Sequence, residues 1–483
     1  MSRLRLPNPL RLSILWVGYL LARFGLIDRT RAKRTTDLAW PRIVTGIARM
    51  SKNAVDIAMV GIAVGPAAIA GVGYAGPFWG LAFALGGGVA GGTIALVSQR
   101  YGAEAYDELS QAVRSSAFLT VIITVPFAAL MFLTPEFFIS IITDEPAEIQ
   151  EGADYLRIVA LGIPFAGLNL IGSRTFVGMD DAWTPMVIRA GGAVANILLN
   201  AIFIFGLGLG VVGAALGTVL ANVVITSVFA TGLVAGGLPG MGTFPTAVDP
   251  VGSYIDREMI RSLVEIGLPV MGTSLVWTLA EVPLLSIVAI FGTEIAAAFV
   301  IARRIGGLMN TPGWGFSLAS SSLVGQELGA GDEELAETYG REIIRFAVAI
   351  YIIGAAFVFV AAEPVVMLFL DDPTQTTFDA AVAFVRVACI GVVFQGVSGG
   401  AAGPLNAAGD TRWPFYSQAL GMFGVAIPIA YLGAVTPLGI YGLYLAFIAE
   451  TSVPAAINYH RFSTGAWKAI SRSYRPDSST PDV

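Results

Sequence analysis

An aspartate inside an apolar run can take up a cation or carry a proton, and this chain has one in Val55-Asp56-Ile57-Ala58-Met59-Val60-Gly61. Asp56 lies nine residues before Gly65, the expected outer end of the run, so at ~1.5 Å per residue it sits about 13 Å deep, near the midplane of a bilayer. No basic residue stands at i+3 or i+4, where Met59 and Val60 occur. An ionisable group in hydrocarbon costs several kcal/mol unless it is paired or solvated, which makes Asp56 a functional candidate. A later run carries Asn196-Ile197-Leu198-Leu199-Asn200, two amides at i and i+4 and therefore on one helix face. Thr218, in the next run, adds a hydroxyl. One carboxylate, two amide carbonyls and a hydroxyl are hard oxygen donors that suit Na+, while the carboxylate by itself suits a proton.

Three further groups lie inside apolar runs. Glu281 stands eleven residues before Gly292 in Trp277-Thr278-Leu279-Ala280-Glu281-Val282-Pro283, also near mid-depth. Arg303 and Arg304 need a carboxylate, carbonyls or water at their depth, and Glu281 or Glu294 is the expected partner. Tyr155 is placed to gate or hydrogen-bond toward the Asp56 cluster, or to serve as an interfacial belt tyrosine. Pro41, Pro126, Pro164, Pro269, Pro283 and Pro312 free backbone carbonyls and permit bends.

The elements that must hold these groups follow from composition. Of 483 residues 55% are apolar and 13% are charged, about half the charge of a soluble chain, so lipid is the solvent for much of it. Twelve apolar runs of spanning length, from 39 to 64 through 438 to 460, leave short loops. A single histidine, His460, and a single cysteine, Cys389, exclude a His/Cys metal cage, a disulfide framework and Ser-His-Asp hydrolysis. The net charge of −6 without a basic stripe excludes nucleic acid as a partner. Arginines and lysines gather in alternate loops and in the tail (Arg100, Arg114, Arg257, Arg461, Lys468, Arg472, Arg475), whereas Thr143 to Pro146, Leu207 to Leu209 and Asp371 to Thr374 have none. That asymmetry places both termini in the cytoplasm of a multi-pass cell-membrane protein. The arginine-rich stretch 1–34 around Leu12 to Ala22 reads as an amphipathic helix on the cytoplasmic surface, its arginines on anionic headgroups. With 25 Arg against 3 Lys and acid-rich loops, the composition points to salty surroundings.

The chain repeats itself. Val97-Ser98-Gln99-Arg100-Tyr101-Gly102-Ala103 falls on Val324-Gly325-Gln326-Glu327-Leu328-Gly329-Ala330 at a shift of 227, and Asp181 with Pro185 falls on Asp410 with Pro414 at 229, as Gly210 and Gly213 fall on Gly439 and Gly442. The expected organisation is an N-terminal six-helix lobe at 35–240, a cytoplasmic linker at 241–259, a C-terminal six-helix lobe at 260–462 and a tail at 463–483. An even number of spans per repeat relates the lobes by an axis along the membrane normal, with the ligand cavity between them.

These stretches, with Ala302-Arg303-Arg304-Ile305, Pro312-Gly313-Trp314-Gly315 and Gly409-Asp410-Thr411-Arg412-Trp413-Pro414, resemble the multidrug and toxic compound extrusion (MATE) transporters, in their archaeal, DinF-like branch, over essentially the whole chain. The resemblance implies an all-α polytopic fold of the MATE/MOP superfamily, twelve transmembrane helices in two pseudo-symmetric six-helix bundles. It also implies alternating access and efflux of amphipathic, often cationic small molecules against inward Na+ or H+. It puts Asp56 at the cation-coupling position of the first helix. Relatives of that branch have an aspartate where this chain has Asn200, which removes a two-carboxylate proton pair and leaves sodium ligation open. NorM-like members use a glutamate in the seventh span, the place of Glu281, but the tenth span here offers no buried acid beyond Asp379. No cofactor other than Na+ as coupling ion is expected, and the protein is read as a monomer in the lipid bilayer. Two other readings remain open. One is a lipid-linked saccharide flippase of the same superfamily, which would need several mid-span bases. The other is a polytopic membrane enzyme with acids such as Asp180-Asp181 or Glu333-Glu334 clustered on one face.

Overall fold

The computed structural model describes residues 8–369 and 374–476. Arg3 and Arg5, the acidic loop residues Asp371 to Pro373 and the end of the tail lie outside the described residues. The fold is all-α apart from one hairpin, β1 (Gly237–Leu238) paired with β2 (Gly242–Thr243). The helices are α1 (Pro9–Arg23), α2 (Arg29–Ala63), α3 (Pro66–Gly102), α4 (Tyr106–Leu133), α5 (Pro135–Ser140), α6 (Pro146–Ala160), α7 (Ile163–Gly178), α8 (Trp183–Ala201) and α9 (Gly210–Ala235). They continue as α10 (Arg257–Ala289), α11 (Thr293–Met309), α12 (Thr311–Gly329), α13 (Glu333–Val360), α14 (Ala362–Met367), α15 (Gln375–Ala407), α16 (Arg412–Ala419), α17 (Ile427–Val435), α18 (Tyr441–Ser463) and α19 (Ala466–Ser471). Proline opens α1, α3, α5 and α6, where its missing N–H has no intrahelical partner to lose. Asn8, Asp332 and Thr374 cap α1, α13 and α15 with side-chain oxygens.

Among the described residues eight helices are long and apolar enough to cross a membrane, and α6 with α7 make a ninth span bent by 50°. The twelve expected runs are completed by α2, which carries Lys52 and Asp56, by α11 with α12, and by α18, which carries Glu450. These three are more polar or broken. Pro164 follows the break between α6 and α7, and Pro312 follows the one between α11 and α12. Neither proline can donate the ladder hydrogen bond that a continuous helix would need at its position, so the helix restarts there.

The duplication is written in the backbone. Shifting by 227 carries α3 onto α11 with α12, α4 onto α13 and the short α5 onto α14, end for end. Shifting by 229 carries α6 with α7 onto the unbroken α15, and α8 with its π-helical end (Ile202–Gly206) onto α16, the π-helical Leu420–Ala426 and α17. Left-handed backbone recurs at the same places. Gly65 and Gly292 have φ of 122° and 94°, and Glu104 and Asp180, at 57° and 66°, fall on Gly331 and Gly409 at 85° and 82°. A turn that needs positive φ is met by glycine in one copy and by a strained side chain in the other.

By packing, Val44–Met271 forms one compact unit, here the N-lobe, and Gly272–Arg475 together with residues 8–43 forms the other, the C-lobe. This departs from the expected lobes at 35–240 and 260–462 and from a surface-lying segment at 1–34. The helix expected around Leu12 to Ala22 is present as α1, but it docks on protein. Ile14, Val17 and Gly18 are buried, and a Cβ at Gly18 would come within 2.9 Å of the Phe346 ring on α13. Arg11 pairs with Asp37 at 2.7 Å, Arg31 makes a two-pronged pair with Glu342, and Arg34 Nη2 donates to Gln326 Oε1 at 2.5 Å. Carboxylates and amides more than 290 residues away in sequence, not headgroups, take those last two arginines.

Candidate functional site

Within the N-lobe, α2, α8 and α9 bring Asp56, Asn196, Asn200 and Thr218 into one hydrogen-bonded cluster. Asn200 Nδ2 donates to Asp56 Oδ1 at 2.9 Å and to Asn196 Oδ1 at 3.5 Å, and Asn196 Nδ2 donates to Thr218 Oγ1 at 3.2 Å. The amides are 1% and 0% exposed. They reach this position because α8 and α9 pack closely at Gly217, where a Cβ would meet Asn200 Oδ1 at 2.0 Å. That oxygen is buried without a hydrogen-bond partner among the described residues, a state that costs ~1–3 kcal/mol. Tyr155 on α6 closes the cluster, its hydroxyl interacting with Thr218 within the field of Asp56.

Asp56 is not alone. Lys52 Nζ donates to Asp56 Oδ2 at 2.5 Å from one turn earlier on α2. The neutralising base stands at i−4, on the opposite side along the helix from Met59 and Val60. Both carboxylate oxygens therefore face donors, one rigid and buried (Asn200), one on a flexible four-carbon stem (Lys52), with the Lys52 and Asp56 side chains 20% and 15% exposed.

In the C-lobe, Arg303 on α11 pairs with neither Glu281 nor Glu294. Its Nη1 lies 2.8 Å from both carboxylate oxygens of Glu450 on α18, and its guanidinium rests against the rings of Phe299 and Phe447. Glu294 instead accepts from Thr374 Oγ1 at 2.7 Å. Glu281 is exposed on α10 and has no partner among the described residues. Of the loop acids, Asp181 caps α8 through Thr184 (3.0 Å to N, 2.7 Å to Oγ1), and Glu333 pairs with Arg472 and Arg475 at 2.8 Å. Asp410, the matching acid of the second motif copy, accepts from Arg461 Nε at 2.7 Å; burial pushes its carboxyl up while Arg461 pulls it down. Asp181, Glu333 and Asp410 thus serve as a helix cap and as ion-pair partners.

A duplicated, all-helical, multi-pass architecture with ionisable groups at span depth is that of a membrane transporter. More particularly, the chain belongs to the MatE family, whose model matches residues 41–202 and again 269–432, so the family unit recurs at the shift seen in the helix ends. It is 24% identical over 89% of its length to a probable multidrug resistance protein, YoeA, of Bacillus subtilis, covering 92% of that protein. It is 27% identical to a probable multidrug resistance protein NorM of Rhodopseudomonas palustris, over 91% of this chain and 94% of that one. Its fold matches the outward-facing structure of a multidrug resistance MATE family transporter of the MOP superfamily with a TM-score of 0.80, at 23% identity, over 91% of this chain and 96% of the other.

Proposed function

We propose that the protein is an antiporter that exports amphipathic small molecules across the cell membrane, driven by the inward passage of a cation taken up at Asp56. The observation that carries this reading is the two-sided neutralisation of Asp56, by a buried amide on one oxygen and by a tethered ammonium on the other. Asn200 fixes one oxygen, and the Lys52 ammonium stands at the other, where a coupling cation would sit. A cation entering from outside competes with a tethered one, and the winner decides whether Lys52 is held or released. This gives the lobe two electrostatic states that a gradient can bias.

Sodium is the coupling ion this set favours. Asp56, Asn196 Oδ1, Thr218 Oγ1 and the unpaired Asn200 Oδ1 are oxygens on three helices, and hard oxygen donors suit Na+. A proton needs Asp56 alone and gives the amides no role. The arginine-bearing loops support cytoplasmic termini, and the names of the multidrug resistance relatives support drugs as cargo.

The test is efflux of a fluorescent amphiphile from proteoliposomes. An inward sodium gradient at equal pH should drive wild type and leave Asp56→Asn at background, with the variant still monodisperse, since the amide keeps the shape and removes the charge. Wild-type efflux by Asp56→Asn would reject the site. Efflux driven by a pH gradient in sodium-free buffer would assign the proton instead.

A further inference from the structure

The hairpin formed by α1 and the start of α2 has two different sides. One is held by the C-lobe. Ile14, Val17 and Gly18 are buried, with Gly18 facing the Phe346 ring on α13. Glu342 on α13 accepts from the backbone N–H of Asp28 at 3.1 Å as well as from Arg31, and Arg345 Nη1 donates to Leu26 O at 2.8 Å. The other side is apolar and exposed: Leu12, Trp16 and Leu20 on α1, then Phe24 at its end, with Trp16 and Phe24 at 65% and 71% exposure. At about 100° per residue Leu12, Trp16 and Leu20 make one stripe, nearly opposite Ile14, Val17 and Gly18. An ordinary surface helix has one apolar stripe, which faces the core. This helix has a second, and no described residue covers it.

Depth and charge together say what covers it. The last charged residue of α13 is Arg345, and Phe346 to Val360 carry none. The hairpin touches α13 at Glu342, Arg345 and Phe346, the level at which headgroups give way to hydrocarbon. The 15 residues of α1 reach ~22 Å, too short to cross a ~30 Å core, so the helix sits at that boundary and its outer stripe looks into the leaflet. The carboxylates of residues 8–37 are already engaged: Asp37 pairs with Arg11, and Asp28 accepts from the N–H groups of Thr30 and Arg31. Among the described residues Arg23, Arg29 and Lys33 are exposed cations with no carboxylate partner, and Arg29 only stacks on the Tyr19 ring at 4.4 Å. An apolar stripe with unanswered cations beside it matches an anionic membrane surface.

We propose that this hairpin is a two-sided clamp between the C-lobe and an anionic leaflet, with Leu12, Trp16, Leu20 and Phe24 among the upper acyl chains and Arg23, Arg29 and Lys33 on lipid phosphates. Guanidiniums make charge-assisted, forked hydrogen bonds to phosphate, and tryptophan favours the interfacial level. The arginines of the segment thereby divide by partner: Arg11 and Arg31 pair with carboxylates of the protein, while Arg23 and Arg29 are left for lipid. The inference goes beyond the transport reading and does not rest on it.

The test places a nitroxide on the full-length protein, with Cys389→Ala removing its single native thiol. Labels go on the outer stripe at Trp16→Cys and at Leu20→Cys, on the exposed apolar face of α13 at Phe357→Cys as the lipid reference, and at the exposed Glu334→Cys as the water reference. Electron paramagnetic resonance reads collision with oxygen, which dissolves in lipid, and with a nickel chelate, which stays in water. The vesicles are equal parts phosphatidylcholine and phosphatidylglycerol, or phosphatidylcholine alone. In the mixed vesicles the Trp16 and Leu20 labels should follow the lipid reference, oxygen-accessible and shielded from nickel, at ~5–10 Å into the headgroup and acyl boundary. In phosphatidylcholine alone, or with Arg23→Gln, Arg29→Gln and Lys33→Gln combined in the mixed vesicles, nickel collision should rise about twofold or more as the attraction to anionic lipid is lost. If the combined variant fails to fold, the two lipids compared on the native charges decide. Labels as accessible to nickel as the water reference in the mixed vesicles would overturn the proposal by putting the stripe in water. Labels shielded from both reagents would overturn it by putting protein there, a second copy or another chain. Lipid-like collision that ignores both phosphatidylglycerol and the charge removal would overturn the anionic half.

Discussion

The two lobes share a backbone and differ in where they spend charge. Thr218 and Tyr155, which close the Asp56 cluster, fall at the shift of 229 on Phe447 and Phe384, and Asn196 and Asn200 fall on Val425 and Ile429. At the shift of 227, Lys52 and Asp56 fall on Leu279 and Pro283. What is a hydrogen-bonded polar cluster in one lobe is an aromatic one in the other, with Phe299, Phe384 and Phe447 packed at ring-centre distances of 5.1 to 5.8 Å under the Arg303–Glu450 pair. The C-lobe pair is closed, with one guanidinium nitrogen at both carboxylate oxygens and aromatic rings around it. The N-lobe cluster is open, with a buried amide oxygen unanswered among the described residues and a tethered ammonium as one of its two carboxylate partners. A satisfied buried pair specifies a packing, and an unsatisfied one leaves free energy for an ion to relieve.

The sharpest way to break this contrast is at the C-lobe pair. Arg303→Met leaves Glu450 buried and charged, which should cost about 3–5 kcal/mol, read as a fall in thermal unfolding temperature in detergent. The double variant Arg303→Met with Glu450→Leu should recover most of that loss, because paired removal leaves no orphan charge. A single variant as stable as wild type would show the pair to be no lock. In the N-lobe, Lys52→Gln removes the tethered competitor and should raise the apparent affinity for the coupling cation about tenfold, ~1.4 kcal/mol, in concentration-dependent efflux. An unchanged or weaker affinity would mean that Lys52 does not compete for Asp56. Glu281→Gln, at an exposed acid without a described partner, should lower efflux by less than about threefold, a change of under ~1 kcal/mol. Abolished efflux would move a coupling role into the C-lobe. Smallest is Glu104→Gly, which replaces a strained residue at φ 57° by the residue its copy Gly331 uses; relief of left-handed strain should outweigh the added chain entropy by up to ~1 kcal/mol.

The repeat and the helices were legible because they are local or periodic. Apolar runs of spanning length and matching glycines at one register need no tertiary knowledge, and the cluster of Asp56, Asn196, Asn200 and Thr218 followed from placing oxygen donors on faces at mid-depth. Lys52 is equally local, one turn before Asp56 at i−4 on the same helix face. Glu450 as the partner of Arg303 depends on how α18 packs against α11 across 147 residues. The docking of α1 and the start of α2 depends likewise on Glu342 and Gln326, far along the chain. Composition along that segment describes an amphipathic helix and says nothing about whether its partner is lipid or protein.

The most direct measurement of the difference between the lobes is sodium-gradient-driven efflux by two variants side by side in the same proteoliposomes: Asp56→Asn, and the double variant Arg303→Met with Glu450→Leu. If the N-lobe cluster couples the ion and the C-lobe pair holds the fold, the double variant should retain most of the wild-type rate while Asp56→Asn shows none. A silent double variant beside an active Asp56→Asn, both folded, would contradict that assignment and place the coupling charge in the C-lobe.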